Sequence, residues 1–363
     1  MGRQESLQIE LVRVLCILCM VWVHISPGFS FETYVNGGPM DVVGLFLGRT
    51  LGRISVTTLS FISGYLFWRT AAYRPWRPVL RRVLAGLFLP FLVWSALFLL
   101  LAVFREQFIG QPSTALERVA PGFWGQLNAW AGLTGPTANL SLFFIRDLIV
   151  ASLILRLSVP LVARQPALAV GLALIVATVL PQTAPVLFRP NILLFMVLGA
   201  VAARQGATIS SLSRPRYALV GGLLLTLLTV LMAKSGLTER LGIESAHDLL
   251  RRAGIGLLML ALTRVLLRRD WTATFARLGR HGFLAYLMHA PLAGTVWVLW
   301  QATIGDANDP SYLFFYLGTP PLCLALAAGL GCFLDNRSQL LQLLLRGKVY
   351  DGGAAPSASG QPA

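Results

Sequence analysis

Apolar runs recur along the whole 363-residue chain, each close to the roughly 20 residues needed to cross the hydrocarbon of a bilayer. Ten are predicted as helices, at about 8–27, 42–67, 79–104, 140–162, 166–181, 188–204, 216–234, 248–267, 281–302 and 311–335. The predicted fold class is therefore all-α: a polytopic transmembrane helix bundle over residues 1–335, followed by a cytoplasmic, disordered tail at 336–363. From Asp351 onward that tail is mostly Gly, Ala, Pro and Ser, which bury too little apolar surface to fold. The first run holds Arg13 and lacks a small-residue cleavage region, so it reads as a retained span rather than a cleaved signal. No internal repeat suggests the two-fold architecture of many transporters.

The polar stretches between the runs alternate. The loop Phe31 to Met40 has no Lys or Arg, whereas the next holds Arg69, Arg74, Arg77, Arg81 and Arg82. Arg156 and Arg164 mark the fourth loop, Arg204, Arg214 and Arg216 the sixth, and Arg264, Arg268, Arg269, Arg277 and Arg280 the eighth. Of the odd-numbered loops, the third and seventh are balanced, the ninth is acidic, and the fifth has Arg189 alone. Basic loops stay on the cytoplasmic side, so the alternation predicts ten spans with both termini in the cytoplasm. For a bacterial chain that means the inner (plasma) membrane.

Composition agrees. The chain is 56% hydrophobic and 12% charged, against about 25% charged for a soluble domain. The net charge of +15 could suggest nucleic acid, but the arginines fall in short loops between apolar runs and not on one basic face. The four cysteines all fall in predicted spans, as small apolar residues, and neither a metal site nor a disulfide framework is expected.

Candidate chemistry lies in the polar residues inside the runs. Arg13 and His24 are eleven positions apart on one helix, about three turns and roughly 16 Å, and so share a face. Glu10 is three residues before Arg13, in position to pair with it. These charges either snorkel to the two interfaces or mark a functional path inside the protein. Arg53 lies in the second run, upstream of Ser63-Gly64, a pair suited to close helix contact. Arg146 and Asp147 are adjacent and point about 100° apart, so each is expected to find a partner on another helix. That partner is either a packing ion pair or a ligand. His247, Asp248, Arg251 and Arg252 read as an interfacial cluster. Tyr286 and His289 share a face of the ninth run, where Pro291 loosens the helix and leaves carbonyls open to other donors. His281 precedes them and reads as a surface residue.

The deep groups Arg13, His24, Arg53, Arg146, Asp147 and His289 are rich in cation and poor in carboxylate. Such a set suits a phosphate, a carboxylate or a developing oxyanion, with histidines for general base catalysis near neutral pH. It fits acyl or phosphoryl transfer better than ion pumping. The alternative reading is a carrier or flippase for a lipid-linked sugar or anionic metabolite.

Several segments together resemble the membrane-bound acyltransferase 3 family. Arg13, ten residues, then His24 resembles its first-helix motif. Phe61-Ile62-Ser63-Gly64-Tyr65-Leu66 resembles its second-span pattern, with Arg53 upstream. Arg81-Arg82 before Pro90-Phe91 and Trp94, Leu142 to Leu148, Phe195 to Gly199, and Tyr286 to His289 with Pro291 follow in the family's order. Glu10 stands where Asp is common, and Phe143 replaces the usual Trp. Length and Arg-rich composition also resemble acetyltransferases that decorate xanthan-type exopolysaccharides.

The resemblance implies an O-acyltransferase, O-acetyl in the first place, with no bound cofactor and no metal. It would move an acyl group from cytoplasmic acyl-CoA (acetyl-CoA) to a sugar hydroxyl of an exopolysaccharide or other envelope glycan. Its partners would be a glycan or lipid-linked oligosaccharide acceptor, membrane lipid and other polysaccharide-assembly proteins. His24 would be the catalytic base, Arg13 would hold the donor, and His289 would be a second catalytic candidate. Arg53, Ser63, Arg146 and Tyr286 would bind substrate or donor.

Overall fold

The computed structural model describes residues 2–25, 47, 52, 54–110, 113–180, 185–234, 244–307 and 309–348, and every regular element among them is helical. In chain order the main helices are α1 (Arg3–His24), α2 (Ile54–Thr70), α3 (Trp76–Val83), α4 (Leu89–Ile109), α5 (Gly122–Ala131), α6 (Phe143–Leu157) and α7 (Pro166–Val179). They are followed by α8 (Asn191–Arg204), α9 (Pro215–Lys234), α10 (Glu244–Leu266), α11 (Asp270–Arg277), α12 (Gly282–Thr303), α13 (Tyr312–Asp335) and α14 (Gln339–Arg346).

Each of the ten apolar runs falls on a helix, although the start of the second lies outside the described residues. Among the described residues four helical stretches are long and apolar enough to cross a membrane: Arg3–His24, Trp76–Ile109, Asp270–Thr303 and Tyr312–Asp335. The protein is thus an all-helical membrane protein. Helices α7 and α8 have 14 residues each, about 21 Å of rise, shorter than the roughly 30 Å hydrocarbon layer. The tail departs from expectation. Residues 339–346 form α14, packed on α4 and α13, and only the stretch from 349 onward lies outside the described residues.

Helix α1 is the hub. It packs against α2, α10, α11, α12 and α13, and its residues from Leu11 to Val14 and at Cys16 are almost fully buried apart from Arg13. Its amino-terminal turns carry polar groups that tie it to its neighbours. Glu5 accepts a hydrogen bond from the Tyr65 hydroxyl at 2.6 Å and from the Ile209 backbone N–H at 3.0 Å, and Gln8 donates to Ser213 at 2.8 Å. Tyr65 near the end of α2 thus meets Glu5 near the start of α1, so these helices run antiparallel. Glu10 and Ile17 of α1 lie in turn beside Gly279 and Gly282, so α12 runs parallel to α1.

The contact expected at Ser63-Gly64 is present. A Cβ on Gly64 would stand 1.9 Å from the Met196 carbonyl oxygen, and one on Gly199 would stand 2.0 Å from that of Phe61. No side chain fits at either place, and α2 and α8 touch backbone to backbone. Between α3 and α4 the helix widens into one π turn, Leu84–Phe88, in which the Leu89 N–H bonds to Leu84 O. Pro90 has no N–H to give to Gly86 O, and its ring disfavours the ordinary turn there.

Candidate active site

A partly open cavity of about 840 Å³ lies among α1, α2, the α3–α4 turn, α6 and α12. That volume is in the range of small-molecule sites. Arg13, Arg77, Arg81, Arg82, Arg280 and Lys348 line it, against one carboxylate, Glu10. Arg77 and Arg81 are one turn apart on α3 and so present to the same side. Arg13 gives one N–H to Glu10 at 2.8 Å, the expected pair, and a third of its side chain remains exposed. The rest of the wall is apolar, with Ile17, Leu59, Phe67, Phe144 and Leu148, and with Ser63 and Tyr286 as polar points. An anion with an apolar arm suits this shape: the cations hold one end while the arm fills the apolar part.

Behind Tyr286 lies an aromatic relay. The Tyr286 ring meets Phe144 edge-on at 6.0 Å and lies 5.5 Å from the His289 ring. The His289 ring in turn lies 5.3 Å from that of His24. Parallel packing of α1 and α12 produces this meeting, because His24 ends α1 while His289 lies two turns into α12. Tyr286 is anchored by its hydroxyl, which donates to Ser141 O at 2.5 Å. His289 is fully buried, and its Nδ1 pairs with Tyr286 O. That carbonyl can only accept, so Nδ1 carries the proton and Nε2 presents a bare lone pair. Nε2 is buried and has no hydrogen-bond partner among the described residues. Helix α12 continues through Pro291, and the carbonyl engaged is that of Tyr286 rather than one freed by the proline.

Arg146 is placed differently from expectation. It pairs with its neighbour Asp147 at 2.9 Å, although adjacent positions on a helix diverge, because the long arginine stem turns back over the helix start. Its Nε donates to Gly132 O at 2.9 Å, Nη1 also to Val186 O at 2.8 Å, and Nη2 to Leu133 O at 3.2 Å and to Pro185 O. All five N–H groups of the guanidinium are thereby used, and its plane lies 4.0 Å from the Phe188 ring. Asp147 accepts the backbone N–H groups of Phe188 and Arg189 at 3.2 and 2.7 Å. The pair clamps two loops and has no donor left for a substrate phosphate. Arg146 is absent from the cavity wall. Arg53 lies outside the described residues.

His281 is buried, not superficial, and its Nε2 accepts the Arg280 Nε–H at 2.8 Å, which steadies Arg280 at the cavity. Asp248 pairs with Arg251 at 2.6 Å and with Arg252 at 2.5 Å, as the expected cluster. All four cysteines are free. Arg77, Arg280 and Lys348 were not expected at the site. Their signal was present as basic residues flanking apolar runs, a pattern that equally marks membrane orientation.

The chain is 29% identical over 335 residues, 90% of its length and 88% of the relative's, to the "Succinoglycan biosynthesis protein ExoH" of Rhizobium meliloti (strain 1021). No solved structure matches it. An Acyltransferase domain matches residues 6–333, a stretch that holds the histidine pair and all of the cavity wall except Gly347 and Lys348, and the chain belongs to the membrane-bound acyltransferase 3 family.

Proposed function

We propose that the protein transfers an acyl group, acetyl in the first place, from a coenzyme A thioester to a hydroxyl of an exopolysaccharide or its lipid-linked precursor. The observation that carries this is the bare, buried Nε2 of His289 beside His24, one aromatic ring away from a cavity with six cations and one acid. The relative named for succinoglycan biosynthesis supports the polysaccharide acceptor.

The donor's phosphates lie against the arginines, from the cytoplasmic side if the basic loops set the orientation. The apolar arm runs along Ile17 and Phe144 towards Tyr286. His24 is partly exposed at the end of α1 and can meet a bulky acceptor, whereas fully buried His289 cannot. The His24 ring lies 5.3 Å from that of His289, and its single N–H is the donor that His289 Nε2 would take in the reactive arrangement. That bond fixes the His24 tautomer and leaves its other nitrogen as the base. His24 takes the proton of the sugar hydroxyl as its oxygen attacks the thioester carbonyl. The new C–O bond forms, the C–S bond breaks, and the leaving thiolate receives the proton from the imidazolium.

The test is to delete the gene and complement it with wild type, His24→Ala or His289→Ala at matched membrane levels. Ester-linked acyl groups per sugar are then measured on the purified polymer. Acylation is expected to vanish on deletion, return with wild type, and fall by about 10²–10⁴-fold with His24→Ala, the range for a general base. Unchanged acyl content per sugar alongside a lower polymer yield would reject acyl transfer and leave the carrier reading.

A further inference from the structure

The C-terminal arm supplies a cation to the cavity from outside the stretch that carries the family likeness. Helix α14 is fastened by polar groups on its inner side. Arg346 is buried and bonds Asp335 at 2.6 Å, Gly331 O at 3.2 Å and Gln342 at 2.7 Å. Gln342 is buried as well, and donates to Arg337 O at 3.2 Å. Trp94 on α4 donates its indole N–H to Leu345 O at 3.0 Å. The outer side of α14 carries Leu340 and Leu341, both exposed.

The helix then stops abruptly. Gly347 has φ +66°, the left-handed cap that glycine adopts without penalty. A Cβ there would also fall 2.2 Å from the Gly86 carbonyl oxygen in the π turn. Two requirements, one of conformation and one of space, thus meet at one residue, and together they deliver Lys348 to the cavity beside Arg13 and Arg82. Lys348 is exposed and lines the cavity. Desolvation and the charge of Arg13 hold its ammonium pKa below the ordinary lysine value, Arg82 and Arg346 add to this, and Glu10 opposes it. A cation pressed against other cations, with one carboxylate nearby, is a placement that an incoming anion relieves.

We infer that Lys348 is a donor-binding residue, held by the α14 lock to meet a phosphate of the acyl donor. This rests on the coenzyme A reading above. In a lipid bilayer Lys348 completes the cationic wall, and the Asp335–Arg346 pair acts as its positioning device.

The test uses the full-length protein in lipid nanodiscs and two probes, coenzyme A and pantetheine, the second lacking the nucleotide phosphates. For Lys348→Ala the coenzyme A Kd is expected to rise about 10-fold, the loss of one charge-assisted bond in a partly exposed site. Lys348→Glu should raise it further, and Lys348→Arg should stay within about threefold of wild type by keeping the charge. Pantetheine should bind all four proteins alike. Asp335→Ala should weaken coenzyme A binding, and adding it to Lys348→Ala should cost nothing more. Equal coenzyme A affinity in all variants, or an equal loss for both probes, overturns the role of Lys348. If wild-type protein binds coenzyme A no better than pantetheine, the donor reading fails first and this inference fails with it.

Discussion

Arg146 and Arg13 both sit inside apolar helices, and they are held in opposite ways. Arg146 spends all five N–H groups on one carboxylate and four backbone carbonyls. Arg13 gives one N–H to Glu10, and no other acceptor among the described residues takes the rest. Charge and position within an apolar helix would not separate the two. The count of acceptors does: a saturated guanidinium organises its own chain, whereas an unsaturated one beside a cavity is available to a ligand.

Three experiments would break or sharpen this contrast. The largest effect is expected from Arg146→Ala, which leaves Asp147 uncompensated and four carbonyls bare. About 3–5 kcal/mol of stability should be lost, seen as a collapse of the monodisperse fraction after mild heating, whether or not a donor is present. Should Arg146→Ala resist heat like wild type and show only a raised donor KM, the clamp is a binding group after all.

Arg13→Gln should do the reverse. Heat resistance stays near wild type, because its pair with Glu10 is solvent-accessible and worth little. The donor KM rises by about 10- to 100-fold, as expected for a lost charge-assisted contact of about 1.5–3 kcal/mol. Unaltered KM would remove Arg13 from the donor site. The smallest effect concerns salt. Between roughly 0.05 and 0.5 M, screening of the open cluster should raise the donor KM severalfold while heat resistance hardly moves, since the buried Arg146–Asp147 clamp is poorly reached by ions. A KM indifferent to salt would mean that the cavity cations do not meet the donor's charge.

How far the sequence disclosed this depends on the range of each interaction. Contacts within one helix were legible: Glu10 with Arg13 follows from their spacing, and each apolar run became a helix. The glycine contact at Gly64 was legible because its cause, a missing side chain, is local. The meeting of His24 and His289 was not, since hydrophobic periodicity says which face is buried and not which helix it faces. Arg146 with Asp147 was misjudged by treating side chains as fixed spokes, which a flexible stem of three methylenes is not. The cavity cations Arg77, Arg280 and Lys348 were visible, but as loop charges that equally explain orientation. Helix α14 was hidden by the low-complexity residues that follow it, and by polar groups, Gln342 and Arg346, turned inward.

The π turn before Pro90 has a consequence for inheritance. A wide turn accommodates one residue more than an α-helix would over the same rise, and each residue turns the chain by about 100°. The extra residue is therefore absorbed within the turn, and the row Arg77, Arg81 and Arg82 keeps its bearing on the long apolar helix that follows. Loss of a single codon within 84–88 would close the turn to an ordinary one, set Pro90 against a carbonyl it cannot bond, and draw Gly86 out from under Gly347. Net charge and every arginine would survive the deletion unchanged.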